Sequence, residues 1–385
     1  MIKKSIFGKI ALAFVGALII PTLALAQIKM GIILGFTGPI ESLTPDMGKS
    51  AELAFKEVSD SGQLLGGQKV SVVRGDSTCI DAAAASAAAE RLITSDRVAG
   101  IMGADCSGVT TAIANNVAVP NGVTMISPSA TSPALSTIAD NGYFFRTAPS
   151  DARQGQVLAE ITIERGINNV AVTFINNDYG KGLSDSFINA YKGLGGKVSA
   201  VVPHEADKAD FSAEVATLDA SGADVLAVFG YVDQGGNHII QGSLDSGSFD
   251  KFILADGMYG ESLLKNMEGD LSGTFGTVPG TDSKGSETFK GMAQSAGITV
   301  GGPFTGESYD AAALLMLAMQ SAGSTDRAAI ASNVFAVANA PGVKIMPGEL
   351  RKGLIVLAKG GAVDYVGASN VELVGGGEAS GSYQE

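Results

Sequence analysis

Apolar residues in this chain fall into short continuous runs, separated by stretches in which they recur every three to four positions. The first run, Ile28–Leu34, predicts a buried strand. The loop Gly35-Phe-Thr-Gly-Pro39 follows it. Thr44-Pro45-Asp46 then reads as an N-cap, an N1 proline and a first-turn acid. Met47, Ala51, Ala54, Phe55 and Val58 trace one face of the helix they open. A strand near Val70–Arg74, an Ala-rich helix over Asp81–Ile93 and a strand over Val98–Gly103 come next. A helix from about Ser107 to Val117 and a strand over Val123–Ser127 complete this series.

The alternation restarts after Phe145-Arg-Thr-Ala-Pro149. Helices are expected over Asp151–Arg165, Lys181–Leu194, Phe211–Ala220 and Gly235–Ser246. Strands are expected over Val170–Asn176, Lys197–Pro203, Ala223–Gly230 and Phe252–Ala255. Glu287–Ala296 and Gly306–Ala322 read as helices. Leu354–Leu357, Val363–Val366 and Val371–Leu373 read as short strands. Strands alternating with helices predict parallel sheets covered on both faces. The fold class is therefore α/β, with two doubly wound lobes and a cleft between them. In open α/β sheets ligands bind beyond the carboxyl ends of the strands.

The N-terminus changes the picture. Lys3, Lys4 and Lys9, the apolar run Ile10–Ile20, Pro21 and Ala24-Leu-Ala26 form a secretory signal peptide pattern, residues 1–26. The run is short for a span, which takes about 20 residues. Exported without it, the chain moves from a net charge of −13 to −16. The expected location is the periplasm. The acidic balance argues against nucleic acid, whose affinity rests on Lys and Arg at phosphates. Two cysteines and two histidines leave little room for a four-ligand zinc centre. In an oxidising compartment a disulfide is the expected state of Cys79 and Cys106, with two buried thiols as the other reading.

Catalytic motifs are missing. Gly48-Lys49-Ser50 resembles the end of a phosphate loop, but Leu43 stands where its first glycine is needed. His204 and His238 read as surface histidines. Polar residues at strand ends say more. Ser107 opens a helix after one strand, and Ser129 and Thr131 sit in the Ser/Pro loop after the next. Their hydroxyls, with free helix N–H groups, suit a carboxylate. Tyr179, Tyr231 and Asp256 follow strands of the second series and suit a cation.

Seven short motifs, in order and spacing, carry a resemblance over essentially the whole chain after residue 26. They are Ile32-Ile-Leu-Gly-Phe-Thr-Gly-Pro39, Asp76-Ser-Thr-Cys79, Gly103-Ala-Asp-Cys-Ser107, Ile126-Ser-Pro-Ser-Ala-Thr-Ser-Pro133, Phe145-Arg-Thr147, Asn177-Asp-Tyr-Gly-Lys-Gly182 and Asp210-Phe-Ser212. The chain resembles the periplasmic substrate-binding proteins of branched-chain amino-acid ABC transporters, the leucine/isoleucine/valine-binding type. The resemblance implies a type I periplasmic binding fold with three hinge crossings, near Arg146–Ala148, Thr274–Val278 and Val343–Pro347. Lobe 1 would hold residues 27–147 and 277–345, and lobe 2 residues 148–276 and 346–385. It also implies a Cys79–Cys106 disulfide. Ser107, Ser129 (mainly through its backbone) and Thr131 would hold an α-carboxylate. Tyr179, Tyr231 and Asp256 would help hold the α-ammonium, Asp256 standing where the family often has glutamate.

The loop after Pro39 departs from the family. Glu41, with Asp105 in support, would bring charge near the ligand side chain and favour polar or cationic ligands. The expected function is a non-catalytic receptor that closes on an amino acid or related zwitterion. It would be a monomer without metal or cofactor and would deliver its ligand to a membrane permease driven by an ATPase. The competing readings are a sensor's ligand-binding subunit, a receptor for an amide, urea or carboxylate, and an exported hydrolase.

Overall fold

The computed structural model describes residue 2 and residues 27–385. The signal-peptide reading falls, Ile2 apart, outside the described residues. Among the described residues no helix is long and apolar enough to cross a membrane.

The first lobe is built on β1 (Ile28–Leu34), β2 (Val70–Asp76), β3 (Ile101–Gly103), β4 (Met125–Ser127) and β5 (Phe144–Arg146), all parallel. Helices α1 (Thr44–Ser61), α2 (Ala82–Glu90) and α3 (Ser107–Ile113) connect them. The apolar face read for α1 is buried from Met47 to Val58. Asp81 caps α2, accepting from the N–H groups of Ala83 and Ala84 at 2.9 and 3.0 Å.

The second lobe carries β6 (Asn169–Ile175), β7 (Lys197–His204), β8 (Val225–Phe229), β9 (Phe252–Leu254) and β10 (Phe275–Gly276), in the spatial order β10-β9-β8-β6-β7. Every residue of β8, Val-Leu-Ala-Val-Phe, is buried, as a central strand covered on both faces requires. Its helices are α4 (Asp151–Glu164), α5 (Asp178–Gly193), α6 (Ser212–Asp219), α7 (Gly236–Ser246) and α8 (Glu261–Asn266).

The chain returns to the first lobe through β11 (Val278–Pro279) and α9 (Lys284–Ser295). The next helix, α10 (Thr305–Ala322), is apolar around its circumference and buried almost throughout. It lies between α1, α11 (Arg327–Ala338) and α12 (Leu350–Ala358).

Three expectations are corrected here. The run Leu354–Leu357 is helical and part of α12, because Leu350, Gly353 and Leu354 share the face that packs on the first lobe. Val343–Pro347 is no crossing. Its β12 (Val343–Ile345) pairs with β13 (Val363–Tyr365) on the first lobe, with Ile345 in the core. Most of residues 346–385 belong to lobe 1 instead of lobe 2. Leu350, Leu354, Val363, Tyr365, Val371 and Leu373 enter its core, and β14 (Leu373–Val374) and β15 (Glu378–Ala379) extend its sheet beside β5.

The third crossing is C-terminal. After β15 the chain runs to β16 (Tyr383–Gln384), antiparallel to β11, and Glu385 pairs with Arg165 of the second lobe. The lobes touch along one hydrophobic cluster that joins Ile33 and Ile101 to Leu158 and Phe187, so the structure is a closed form.

Candidate functional site

The carboxyl ends of β3 and β4 face those of β6, β8 and β9 across the cleft. Gly103 ends β3 at φ 124°, and a Cβ there would sit 2.0 Å from the Ile33 carbonyl oxygen. Only glycine lets the chain turn here into Ala104-Asp105-Cys106. Cys79 and Cys106 form a disulfide. It ties this loop to the one after β2.

Asp105 is buried. Its Oδ2 accepts from the Gly35 N–H at 2.6 Å and its Oδ1 from the Ser77 hydroxyl at 2.9 Å. Burial raises its pKa, and these hydrogen bonds oppose the rise. The carboxylate therefore pins three loops together, which is a structural use of the charge.

A small cavity lies where the loops meet, with about 30 Å³ of room for the centres of water-sized molecules. Ser107 and Ser129 line it from the first lobe, Tyr179, Tyr231 and Asp256 from the second. Larger grooves adjoin it, one at the cleft mouth that shares Leu43 and one lined by Ala255, Phe275 and Val278. Ser107 Oγ accepts from the Ser132 N–H at 3.1 Å, and Ser129 Oγ donates to the Asp105 carbonyl at 3.2 Å. Thr131 is buried, and its carbonyl accepts from the Asp151 N–H at 2.8 Å; it does not line the cavity in this closed form.

Opposite, the Tyr179 and Tyr231 rings stack with centroids 5.3 Å apart. The Tyr179 hydroxyl donates to Asp256 Oδ1 at 2.8 Å and accepts from the Gly257 N–H at 3.2 Å. Asn177 Nδ2 donates to the Tyr231 hydroxyl at 3.3 Å. Asp256 Oδ2 is buried with no donor. Burial pushes the Asp256 carboxyl up to about 6, against the hydrogen bond from Tyr179.

Glu41 is a correction. It is exposed, and its Oε2 accepts from the Gly38 N–H at 3.3 Å within its own turn. A carboxylate with a solvent route stays in water, since burying it unpaired is costly. Its neighbour Ile40 lines the cavity instead, with Leu43, Met47 and Phe304. This side of the cavity is therefore an apolar wall.

Sequence reasoning missed that wall and two further polar groups. Met47 reads as an ordinary core position of α1, and Phe304 lies far along the chain. Asp151 and Gln154, on the first turn of α4, are both buried. Both Asp151 oxygens and Gln154 Oε1 lack a donor, while Gln154 Nε2 donates to the Thr277 carbonyl at 2.9 Å. The signal was an Asp-x-x-Gln directly after a crossing, but a first-turn acid also complements the helix dipole and reads as that. Arg146, also buried, is engaged through its two terminal nitrogens, while its Nε has no partner. It donates to the carbonyls of Ala130 and Ser132 at 3.0 and 2.9 Å and pairs with Glu378.

Residues 27–349 match the family model described as Periplasmic binding protein. The chain belongs to that family. One periplasmic binding protein relative, the Leu/Ile/Val-binding protein homolog 1 of Brucella melitensis biotype 1, is 31% identical over 331 residues, 84% of this chain and 86% of its own length. Among solved structures, the leucine binding protein LivK from Thermotoga maritima superposes with a TM-score of 0.78 at 24% identity, covering 92% of this chain and 94% of its own. The branched-chain amino acid transporter substrate binding protein LivJ from Streptococcus pneumoniae, in complex with isoleucine, gives 0.76 at 22% identity, covering 93% and 95%. These likenesses show the type I periplasmic binding fold. The family is one of substrate-binding receptors, and it implies export.

Proposed function

We propose that this protein is a periplasmic receptor for an amino acid with a small aliphatic side chain, which it carries to an ABC transporter permease after loss of residues 1–26. The observation that supports this most is the unpartnered, buried Asp256 Oδ2, set against the tyrosine pair and across the cavity from Ser107 and Ser129. A zwitterion would satisfy both walls, its ammonium at Asp256 and its carboxylate at the serines, with charge-assisted hydrogen bonds at each end. Thr131 would join them as the lobes adjust around the ligand. The wall of Ile40, Leu43, Met47 and Phe304 argues for an aliphatic side chain over the polar or cationic one that Glu41 suggested. The names of the relatives point the same way.

Hinge opening admits the ligand, and closure on it would stabilise the closed form. A thermal-shift screen of the mature chain should show stabilisation by L-alanine, L-valine or L-leucine and none by L-lysine, benzoate or urea. At a hundredfold excess over the dissociation constant the gain should be about 2.7 kcal/mol. Asp256→Asn should weaken binding about thirtyfold or more, as loss of a buried charged partner does. Stabilisation by a neutral amide or a plain carboxylate, unchanged in Asp256→Asn, would sink the proposal.

A further inference from the structure

A second hollow shares the Phe304 wall of the ligand cavity. It is a groove with about 180 Å³ of room for the centres of water-sized molecules. Tyr259 lines it from the second lobe, Val278 from the crossing strand β11 and Phe289 from α9. Phe304 and Glu307 line it at the start of α10. Glu307 stands apart in this lining. The residue is 6% exposed, and its carbonyl accepts from the Thr147 hydroxyl at 2.9 Å. Its carboxyl meets its own N–H, and among the described residues no other group donates to it. Burial raises that carboxyl to about 8, and Asp310 on the same helix adds to the rise. Asp310 itself is fully used, accepting from Tyr365, Ala368 and Ser369. Lys290 of α9 also lines the groove, but it is exposed and among the described residues makes no ion pair with Glu307. A first-turn acid ordinarily complements the helix dipole from the solvent side. A buried one carries a desolvation cost that the dipole offsets only in part.

Such a carboxylate calls for a cation, and the walls say which kind. A metal ion takes several oxygen ligands, and among the described residues no three acids, histidines or cysteines gather to hold one. Three aromatic rings line the groove with one carboxylate, a set that suits an ammonium carried on an apolar body. We propose that this groove is a second binding site, for a small alkylammonium ion whose charged end meets Glu307 and whose hydrocarbon end lies against Tyr259, Val278, Phe289 and Phe304. The site uses none of Ser107, Ser129 and Asp256, so it stands or falls separately from the amino-acid reading above.

Isothermal titration of the mature chain with n-butylamine tests the site. At about pH 9 the Glu307 carboxyl is ionised and an alkyl amine is still an ammonium. The amine should saturate a single site, and n-butanol, of the same length without the charge, should bind about tenfold more weakly or worse. Glu307→Gln keeps the shape and removes the charge, so it should weaken the amine about tenfold or more. Circular dichroism and the denaturant midpoint show that this variant is folded. Tyr259→Ala, at a half-exposed position, should weaken the amine about threefold and serves as the second check if Glu307→Gln does not fold. L-alanine at saturation should not displace the amine. Equal binding of n-butanol, undiminished binding in Glu307→Gln, or no binding of n-butylamine at all overturns the proposal. Displacement by L-alanine, or loss of amine binding in Asp256→Asn, overturns it too, by placing the amine in the ligand cavity. If L-alanine itself does not bind, the amino-acid reading fails, and n-butylamine with Glu307→Gln still decides this proposal.

Discussion

His204 ends β7 with its ring buried, Nδ1 2.8 Å from the Thr173 hydroxyl and Nε2 without a partner. Read from sequence as a surface histidine, it is covered by Gly230, Gly235 and Phe211. Burial lowers its pKa to about 4, since a charged ring would have no solvent here. The unfolded value is about 6.5, so between the two the unfolded chain binds more protons than the native one. This contribution to stability is complete above about pH 6.5 and is lost as the pH falls toward 4, by about 3 kcal/mol in all. Denaturant midpoints near pH 7 and near pH 4.5 should therefore lie closer together in His204→Gln than in the unaltered chain. An equal separation would rule the residue out as an acid-sensitive point. His204 shows what one sequence hides, because burial of a polar side chain depends on what later segments lay over it. Ser107, Ser129, Tyr179, Tyr231 and Asp256 were legible because strand ends face the cleft whatever their neighbours. Glu41 and Asp151 were not. Whether a loop acid points inward is decided by one turn of backbone, and an acid at a helix start has an ordinary use.

Most elements of the two α/β series follow directly from hydrophobic period, and the errors gather after residue 340. There the apolar runs are five residues or fewer, too short to separate strand from helix. Leu354–Leu357 is helical only because its face finds α1 and α10. Helix pairing in the second lobe depends on a single position. At Gly155 of α4 a Cβ would lie 2.5 Å from the Phe187 backbone nitrogen and 2.7 Å from Ser186 Cβ, both on α5. The two helices approach so closely that only a hydrogen fits. Gly155→Ala gains helix propensity, about 1 kcal/mol at most, but must push the helices apart against packed Phe187 and Leu158. Overpacking of this kind costs about 1–3 kcal/mol. The net expectation is lower stability, read as a lower denaturant midpoint with the slope unchanged. A variant as stable as the parent would show that the α4–α5 contact can slide at little cost.

Two lobes and a cleft were readable from the doubled alternation, but the third crossing was not. It is made by Tyr383–Gln384 against Val278–Pro279, a pairing of two residues that leaves no periodic trace. The closed state also depends on contacts at the cleft mouth that no motif announces. The Ser42 N–H donates to Asp233 Oδ2 at 2.8 Å, and the Asp233 N–H donates to the Pro39 carbonyl at 3.1 Å. The hydroxyls of Ser42 and Ser262 are 3.1 Å apart. These bonds join the first lobe's loop before α1 to second-lobe segments after β8 and β9, and they exist only while the lobes are shut. Asp233 does not line the cavity, so its loss acts on closure and not on ligand contacts. One such exposed hydrogen bond contributes about 1 kcal/mol, which is about a fivefold change in the ratio of closed to open forms. Asp233→Ala should therefore release bound amino acid about five times faster, with association nearly unchanged. Small-angle scattering should show a larger mean radius for the ligand-free variant. If release is no faster and the radius does not grow, the mouth contacts merely accompany closure.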